Sequence, residues 1–408
     1  MAGTPTTMTT ADAILKDFYS GPMESIINQS HPLYDATAKG TESYLGRQVK
    51  FPVQLRRPMN VGSRSSYVPE ANATTVEDAS VSAKKHYARI QLSGEVIAAA
   101  TGNNTGAFLS AVEMETKANA EALADDLNRQ CYGFVNSVNN NTGVLTQVNG
   151  TVGAATTVTT DSNRYLYPGT RIWIGTAAEI TGGTADKVTV LTQSTNGTDI
   201  TIASTTVADN DLIVRGDSLE SAYTAEIAGL NFAISNADDD FQNINTGDYP
   251  EWKGIVNSNS GVARNLDLRL MNLVIDDLYD SSGKRPDFLI MHSSIRREYV
   301  DLLTPDVRYQ PQKLEGGYET LTFASNGTPM KVHDDKHATY GNIYFLNMST
   351  IKRYELQPFK WQDRTGAIWR PVADKDDWEA IYLGYNNLGY RQRNALAVLK
   401  DIDYSLTA

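Results

Sequence analysis

The chain has 408 residues, 41% hydrophobic and 21% charged, an ordinary globular composition with room for about two to four domains. Its net charge of −12 argues against tight, direct binding to nucleic-acid phosphates, which calls for a basic surplus, but not against lying next to DNA. A single cysteine, Cys131, excludes an intrachain disulfide framework; without a secretory signal or an apolar run near the ~20 residues that cross a bilayer, the chain reads as soluble and cytosolic.

The first ten residues, rich in Thr and small side chains, read as a mobile tail. Asp12 is placed to cap a helix carrying Ile14, Leu15 and Phe18, which breaks at Gly21 and Pro22. A second helical piece with Met23, Ile26 and Ile27 ends before His31 and Pro32. Neither piece makes a core alone, so the two predict an arm that lies on something else. Next, "VKFPVQL" alternates Val49, Phe51, Val53 and Leu55 with polar residues, and "HYARIQL" alternates Ala88, Ile90 and Leu92. Between them lies a polar stretch, residues 56–85, long enough that a function or disorder is the usual explanation.

The clearest helix follows, over residues 105–135, with Asn104 or Thr105 as its cap. Leu109, Val112, Thr116, Ala120, Leu123, Leu127, Cys131 and Phe134 recur at three- and four-residue steps. Charges take the remaining positions, and the helix would run about 45 Å. From residue 144 to 216 the chain turns dense in Thr, Gly and Val. "TRIWIG", "DKVTVLT", "TDITIAS" and "NDLIVRG" alternate between turn signals, which predicts an all-β insert, a barrel or sandwich of about six strands. "SAYTAEIAGLNFAISN" reads as a short helix and "DDDFQNINTGDYPEWKG" as a polar loop. A helix–strand–helix rhythm covers residues 263–303, with Leu266, Leu270, Leu273, Val274 and Leu278 as the first helix's apolar face and Gly283 as its end. "GTPMKVHDD", "GNIYFLN" and "IKRYELQPF" read as strands. "WEAIYLGYNNLGYRQRNALAVLKDI" reads as one long strand alternating for about twenty residues.

No constellation converges on chemistry. "HDDKH" at residues 333–337 pairs two His at an i, i+4 spacing, but a strand running into a turn gives them no shared helix face. No phosphate-binding Gly-rich loop and no nucleophile elbow occurs, and Cys131 lies on the apolar stripe of the long helix. The acidic groups Asp238, Asp239, Asp240 and Asp374, Asp376, Asp377 read as solvated loops. The expectation is a non-enzyme with no catalytic residue, no cofactor and no metal.

The order of arm ("ILKDFYSGPMESIINQSHPLYD"), strand-flanked ribbon, long helix, α/β segment and returning strands resembles the major capsid proteins of tailed bacteriophages, over nearly the whole chain except the β insert. The resemblance implies an α+β phage major-capsid fold. Its parts would be an N-terminal arm (1–45), an extended β-hairpin loop (46–96) and a peripheral domain with a spine helix (97–143). An all-β insertion domain (144–217) and a continuation of the peripheral domain (218–262) would follow. The axial domain (263–350), further peripheral strands (351–396) and a C-terminal return to the axial domain (397–408) would complete it.

It also implies a structural subunit, forming hexamers and pentamers of an icosahedral head shell around packaged double-stranded DNA, assembled in the host cytoplasm and found in the virion. Further partners would be scaffolding, portal and cement or decoration proteins, with no membrane. In that family the ribbon reaches over an adjacent subunit. Here its arms carry Arg47, Lys50, Arg56, Arg57 and Arg64, with Glu70, Glu77 and Asp78 beyond the tip. Arg56, Arg57, Arg64, Glu70 and Glu77 are expected to meet neighbours, as are Glu121 and Asp125 on the acidic face of the spine helix. Some members crosslink through a ribbon lysine, but residues 59–83 contain none, so no covalent mesh is expected. Two alternatives stand beside this reading: an encapsulin-like nanocompartment shell, and a β-domain adhesive or carbohydrate-binding surface protein.

Overall fold

The computed structural model describes residues 31–40, 44, 46–58, 60–63, 68, 70–95, 105–134, 142–150, 153–217, 219–303, 322–325, 328–363 and 368–404. The helical pieces expected before residue 31 lie outside the described residues. Among the described residues no helix is long and apolar enough to cross a membrane.

One sheet is organised by β20 (Asp377–Tyr390), which pairs antiparallel with β18 (Ile351–Trp361) on one edge and with β4 (Lys84–Ser93) on the other. The short β1 (Ala38–Lys39) joins β18 in parallel, and β19 (Arg370–Pro371) pairs with the start of β20. The long helix α2 (Thr105–Tyr132) packs at its C-terminal half, where Leu127, Cys131 and Tyr132 join Leu388 and Tyr390 in one core. Twenty-eight residues give it about 42 Å. Along its predicted stripe Leu127, Cys131 and Phe134 are buried and Leu123 half-buried, whereas Ala120 is exposed. The side chains of Leu109 and Val112 lie outside the described set. The helix stops at Gly133, whose φ of +69° leaves the helical region.

A second, six-stranded sheet has the order β13 (Ile255–Asn257), β21 (Ala397–Leu399), β17 (Ile343–Leu346), β14 (Phe288–Met291), β16 (Thr328–Asp334), β15 (Thr322–Ser325). Helices α5 (Leu268–Ser282) and α6 (Ser293–Leu303) flank β14 in sequence, the helix–strand–helix order expected. Gly283 caps α5 in the left-handed conformation, φ +69°. The buried face of α5 is Met271, Val274, Ile275 and Leu278, rotated from the predicted set; Leu273 is 44% exposed.

The third sheet is the insert. Its strands β5 (Val144–Gln147), β6 (Gly153–Thr159), β7 (Arg171–Gly175), β8 (Asp186–Gln193), β9 (Asp199–Val207) and β10 (Leu212–Arg215) pair in the order β5-β10-β7-β8-β9-β6, all antiparallel. A bridge between Val148 and Thr160 joins the two ends, with Asn149 N donating to Thr159 O (2.9 Å) and Asp161 N to Gln147 O (3.0 Å). The sheet therefore closes into a barrel around Val158, Ile172, Ile174, Val190, Ile200, Ile202 and Ile213, and closure removes its edges. Chain entry and exit lie side by side: Gly143 N donates to Tyr223 O (3.0 Å). A Cβ on Gly143 would stand 1.7 Å from Ala222 O, so only glycine fits this closure.

Four predicted elements differ. The polar loop of residues 238–254 pairs Asp240–Phe241 with Ile244–Asn245 and buries Asp239, read as solvated, against Arg393 (2.9 Å). The ribbon's returning arm is β3 (Thr75–Val81), paired with β2 (Val49–Arg56); "HYARIQL" belongs instead to β4 in the β20 sheet. Glu77, Asp78 and Ser80 give β3 a polar sequence because only its base is covered, and that hid it inside the ribbon. The long C-terminal strand ends at Tyr390, and the chain crosses through Arg393–Ala395 into the second sheet as β21. Within "SAYTAEIAGLNFAISN" only α4 (Leu230–Ala233) is helical.

Candidate subunit interface

The β2–β3 hairpin has an anchored base and an uncovered end. Val49, Phe51, Ala79 and Val81 are buried, and Phe51 stacks on Tyr354 with ring centroids 6.0 Å apart. Beyond them cover falls away: Val76 is 50% exposed, Val61 87% and Val68 90%. Valines left in water, one on β3 and two in the segment that joins the strands, gain nothing from burial within their own chain.

Arg56 and Glu77, both expected to meet neighbours, converge on one loop of the same chain. Arg56 donates to both carboxylate oxygens of Glu251 (2.7 and 3.3 Å) and to Asp248 O (3.2 Å), and its guanidinium lies 5.5 Å from the Tyr249 ring centre. Tyr249 OH donates to Glu77 Oε1 (2.8 Å). Both partners are exposed to water, so the pair positions the hairpin more than it stabilises the fold. Arg57 and Glu70 are exposed and have no polar partner among the described residues. Arg64 lies outside them.

The acidic face of α2 is partly engaged within the chain. Glu121 lies 3.7 Å from Lys117. Asp125 pairs with Lys336 and with His337 Nε2 (3.0 Å). Burial pushes the Asp125 carboxyl up, but hydrogen bonds and charge from His337 and Lys336 prevail and hold it at about 2. His337 Nδ1 in turn meets Tyr165 OH of the barrel (3.1 Å). The "HDDKH" segment is thus a structural junction: Asp335 accepts from Asn128 (2.7 Å) and Tyr132 OH (2.8 Å) of α2.

Sequence reading missed a second buried cluster beside it. Arg129 bridges Asp126 (2.9 Å) and Glu226 (2.6 Å), and Arg215 of the barrel reaches Asp126 (3.0 Å). Burial raises the Asp126 carboxyl, yet the Arg129 and Arg215 charges carry it well below the usual carboxylate range; Glu226 stays raised by burial. An Asp-Asp pair followed by Arg three residues on is common on solvated helices, so spacing alone gives no sign of burial. Burial likewise raises the thiol of Cys131, the opposite of nucleophile activation. Among the described residues no group of three His, Cys, Asp or Glu side chains could hold a metal ion.

No protein-family model and no curated protein matches the sequence. Solved structures do. The capsid asymmetric unit of Cyanophage A-1(L) is similar at 12% identity and a TM-score of 0.62, over 97% of this chain and 99% of that one. The capsid of a native GTA particle is similar at 10% identity and a TM-score of 0.53, over 98% of this chain and 100% of that one. The capsid of an empty GTA particle is similar at 9% identity and a TM-score of 0.53, over 97% and 99%. With a two-stranded hairpin beyond which Val61 and Val68 stand exposed, a long helix beside the β20 sheet and a second α/β unit, the chain has the fold of the tailed-phage major capsid proteins.

Proposed function

We propose that the chain is a major capsid protein: a structural subunit, not an enzyme, that self-assembles into the icosahedral head shell of a tailed phage around double-stranded DNA. The observation that carries this reading is the hairpin, whose distal valines are exposed while its base is buried. A second copy laid across it supplies the missing cover, and many such modest contacts, satisfied together, close a shell. Hexamers and pentamers are the capsomers in this account, with scaffolding, portal and cement proteins as further partners. The β20 sheet with α2 serves as the peripheral domain, the β14 sheet as the axial domain, and the closed barrel as an insertion domain. Arg57, Arg64, Glu70 and Glu121 are proposed to meet neighbours. Glu121, like Arg56, Glu77 and Asp125, also has a partner within the chain, and these intrachain pairs hold the surfaces that meet a neighbour. Negative-stain electron microscopy of the purified protein tests the reading: uniform hollow shells or capsomer rings are expected, and monodisperse monomers would contradict it.

A further inference from the structure

Between the hairpin and the body of the molecule runs a cleft of about 810 Å³. Residues 50–55 of β2 form one wall, and Glu251, Lys284, Thr350 and Arg391 lie on the others. Because consecutive strand residues point to opposite faces, a wall of six in a row means that the cleft follows the edge of β2. Pro52, which has no N–H to give a ladder, lies in the middle of that wall, as befits an edge strand.

The charge of the cleft is opposite to that of the chain. Lys50 and Lys284 are exposed and make no ion pair among the described residues, and Arg391 lies over the Phe51 ring at 5.7 Å. The one carboxylate on the walls, Glu251, is occupied by Arg56. In a chain of net charge −12, the two lysines are left uncompensated beside a groove open to a partner.

A complementary feature stands at the start of the longest strand. The turn between β19 and β20 carries Asp374, Asp376 and Asp377 against a single Lys375. Asp374 and Asp376 are exposed, with no ion pair among the described residues. Val372 N donates to Asp377 O (2.9 Å), which closes the turn and fixes its backbone before any partner arrives.

We propose that this cleft receives the acidic turn, residues 372–377, of a second copy of the chain. The inference rests on the reading of the chain as a shell subunit, where copies lie side by side, and adds a charge-matched contact at the root of the hairpin. Opposite charges at such a contact fix which surfaces meet and in what register.

The test uses full-length chains and shell yield by light scattering, with thermal melts of unassembled subunits as the control for folding. K50E/K284E and D374K/D376K should each melt like the wild type and lose shell yield by about tenfold or more. The fourfold variant K50E/K284E/D374K/D376K restores opposite charge at every contact and should regain shells. Wild-type yield from either double variant, or no recovery in the fourfold variant, overturns the inference. Binding of a DNA duplex to the unassembled chain that K50E/K284E abolishes would overturn it in favour of a phosphate occupant. Should the wild type form no shells, the shell reading fails and this inference with it; wild-type shells with unaffected variants overturn the inference alone.

Discussion

Asp125 of the spine helix and His337 of the turn after β16 are joined by a 3.0 Å contact between Oδ1 and Nε2, and Lys336 closes on the same oxygen. The pair holds the helix against the second sheet, while Tyr165 ties the same histidine to the barrel. The folded carboxyl titrates at about 2, below its ordinary 3.8. A depressed carboxyl contributes stability that is present above its unfolded pKa and lost as pH falls through the folded one. The window is therefore about pH 4 down to 2. Allowing for solvent at a carboxylate that is 24% exposed, the contribution is about 1–2 kcal/mol. Urea melts of unassembled Asp125→Asn at pH 7 should show that loss, and the difference from wild type should shrink towards pH 2. Equal stability at pH 7 would dissociate the pair from folding.

Leu127 tests the packing of the spine helix. It is buried in the core shared with Leu388 and Tyr390, so Leu127→Ala should cost about 2–5 kcal/mol through the cavity it leaves. Urea melts of the unassembled subunit read this directly. A loss within about 0.5 kcal/mol would mean that the stripe faces solvent or a neighbour.

The barrel has its own core and hydrogen-bonded ends, so residues 142–223 expressed alone should fold. The expected amide NMR spectrum is well dispersed. Stability should be lower than in the whole chain, because Phe134, which packs against Trp173 and Val214 on the barrel's outer face, lies outside the fragment. A collapsed, dispersionless spectrum would remove the claim of autonomy.

How much of this was legible in sequence follows from how far each element is buried. The spine helix, the helix–strand–helix segment and the strand patterns of the barrel declared themselves, because one buried face imposes a period on the residues. β3 did not: its Ala79 and Val81 are inward only at the base, and the exposed remainder carries Glu77 and Asp78. The long C-terminal run reads as one strand because both sheets it serves bury apolar residues, and the crossing at residues 393–395 leaves no Gly or Pro as a mark. Barrel closure rests on backbone contacts between Val148 and Thr160, which side-chain patterns do not encode. At the candidate interface, the exposed charges of the hairpin were visible, but their intrachain partners at Glu251 and Tyr249 lie almost 200 residues away in sequence.

The hairpin end gives the most direct measurement of the central claim, that its cover comes from another copy. Removal must spare β3, whose Ala79 and Val81 belong to the subunit core, so residues 58–73 are replaced by an Asn-Gly turn. Circular dichroism and melting of the unassembled variant should match the wild type to within about 1 kcal/mol. Light scattering and electron microscopy should show shells from the wild type and none from the variant. A variant that keeps its fold and still builds shells at wild-type yield would contradict the account.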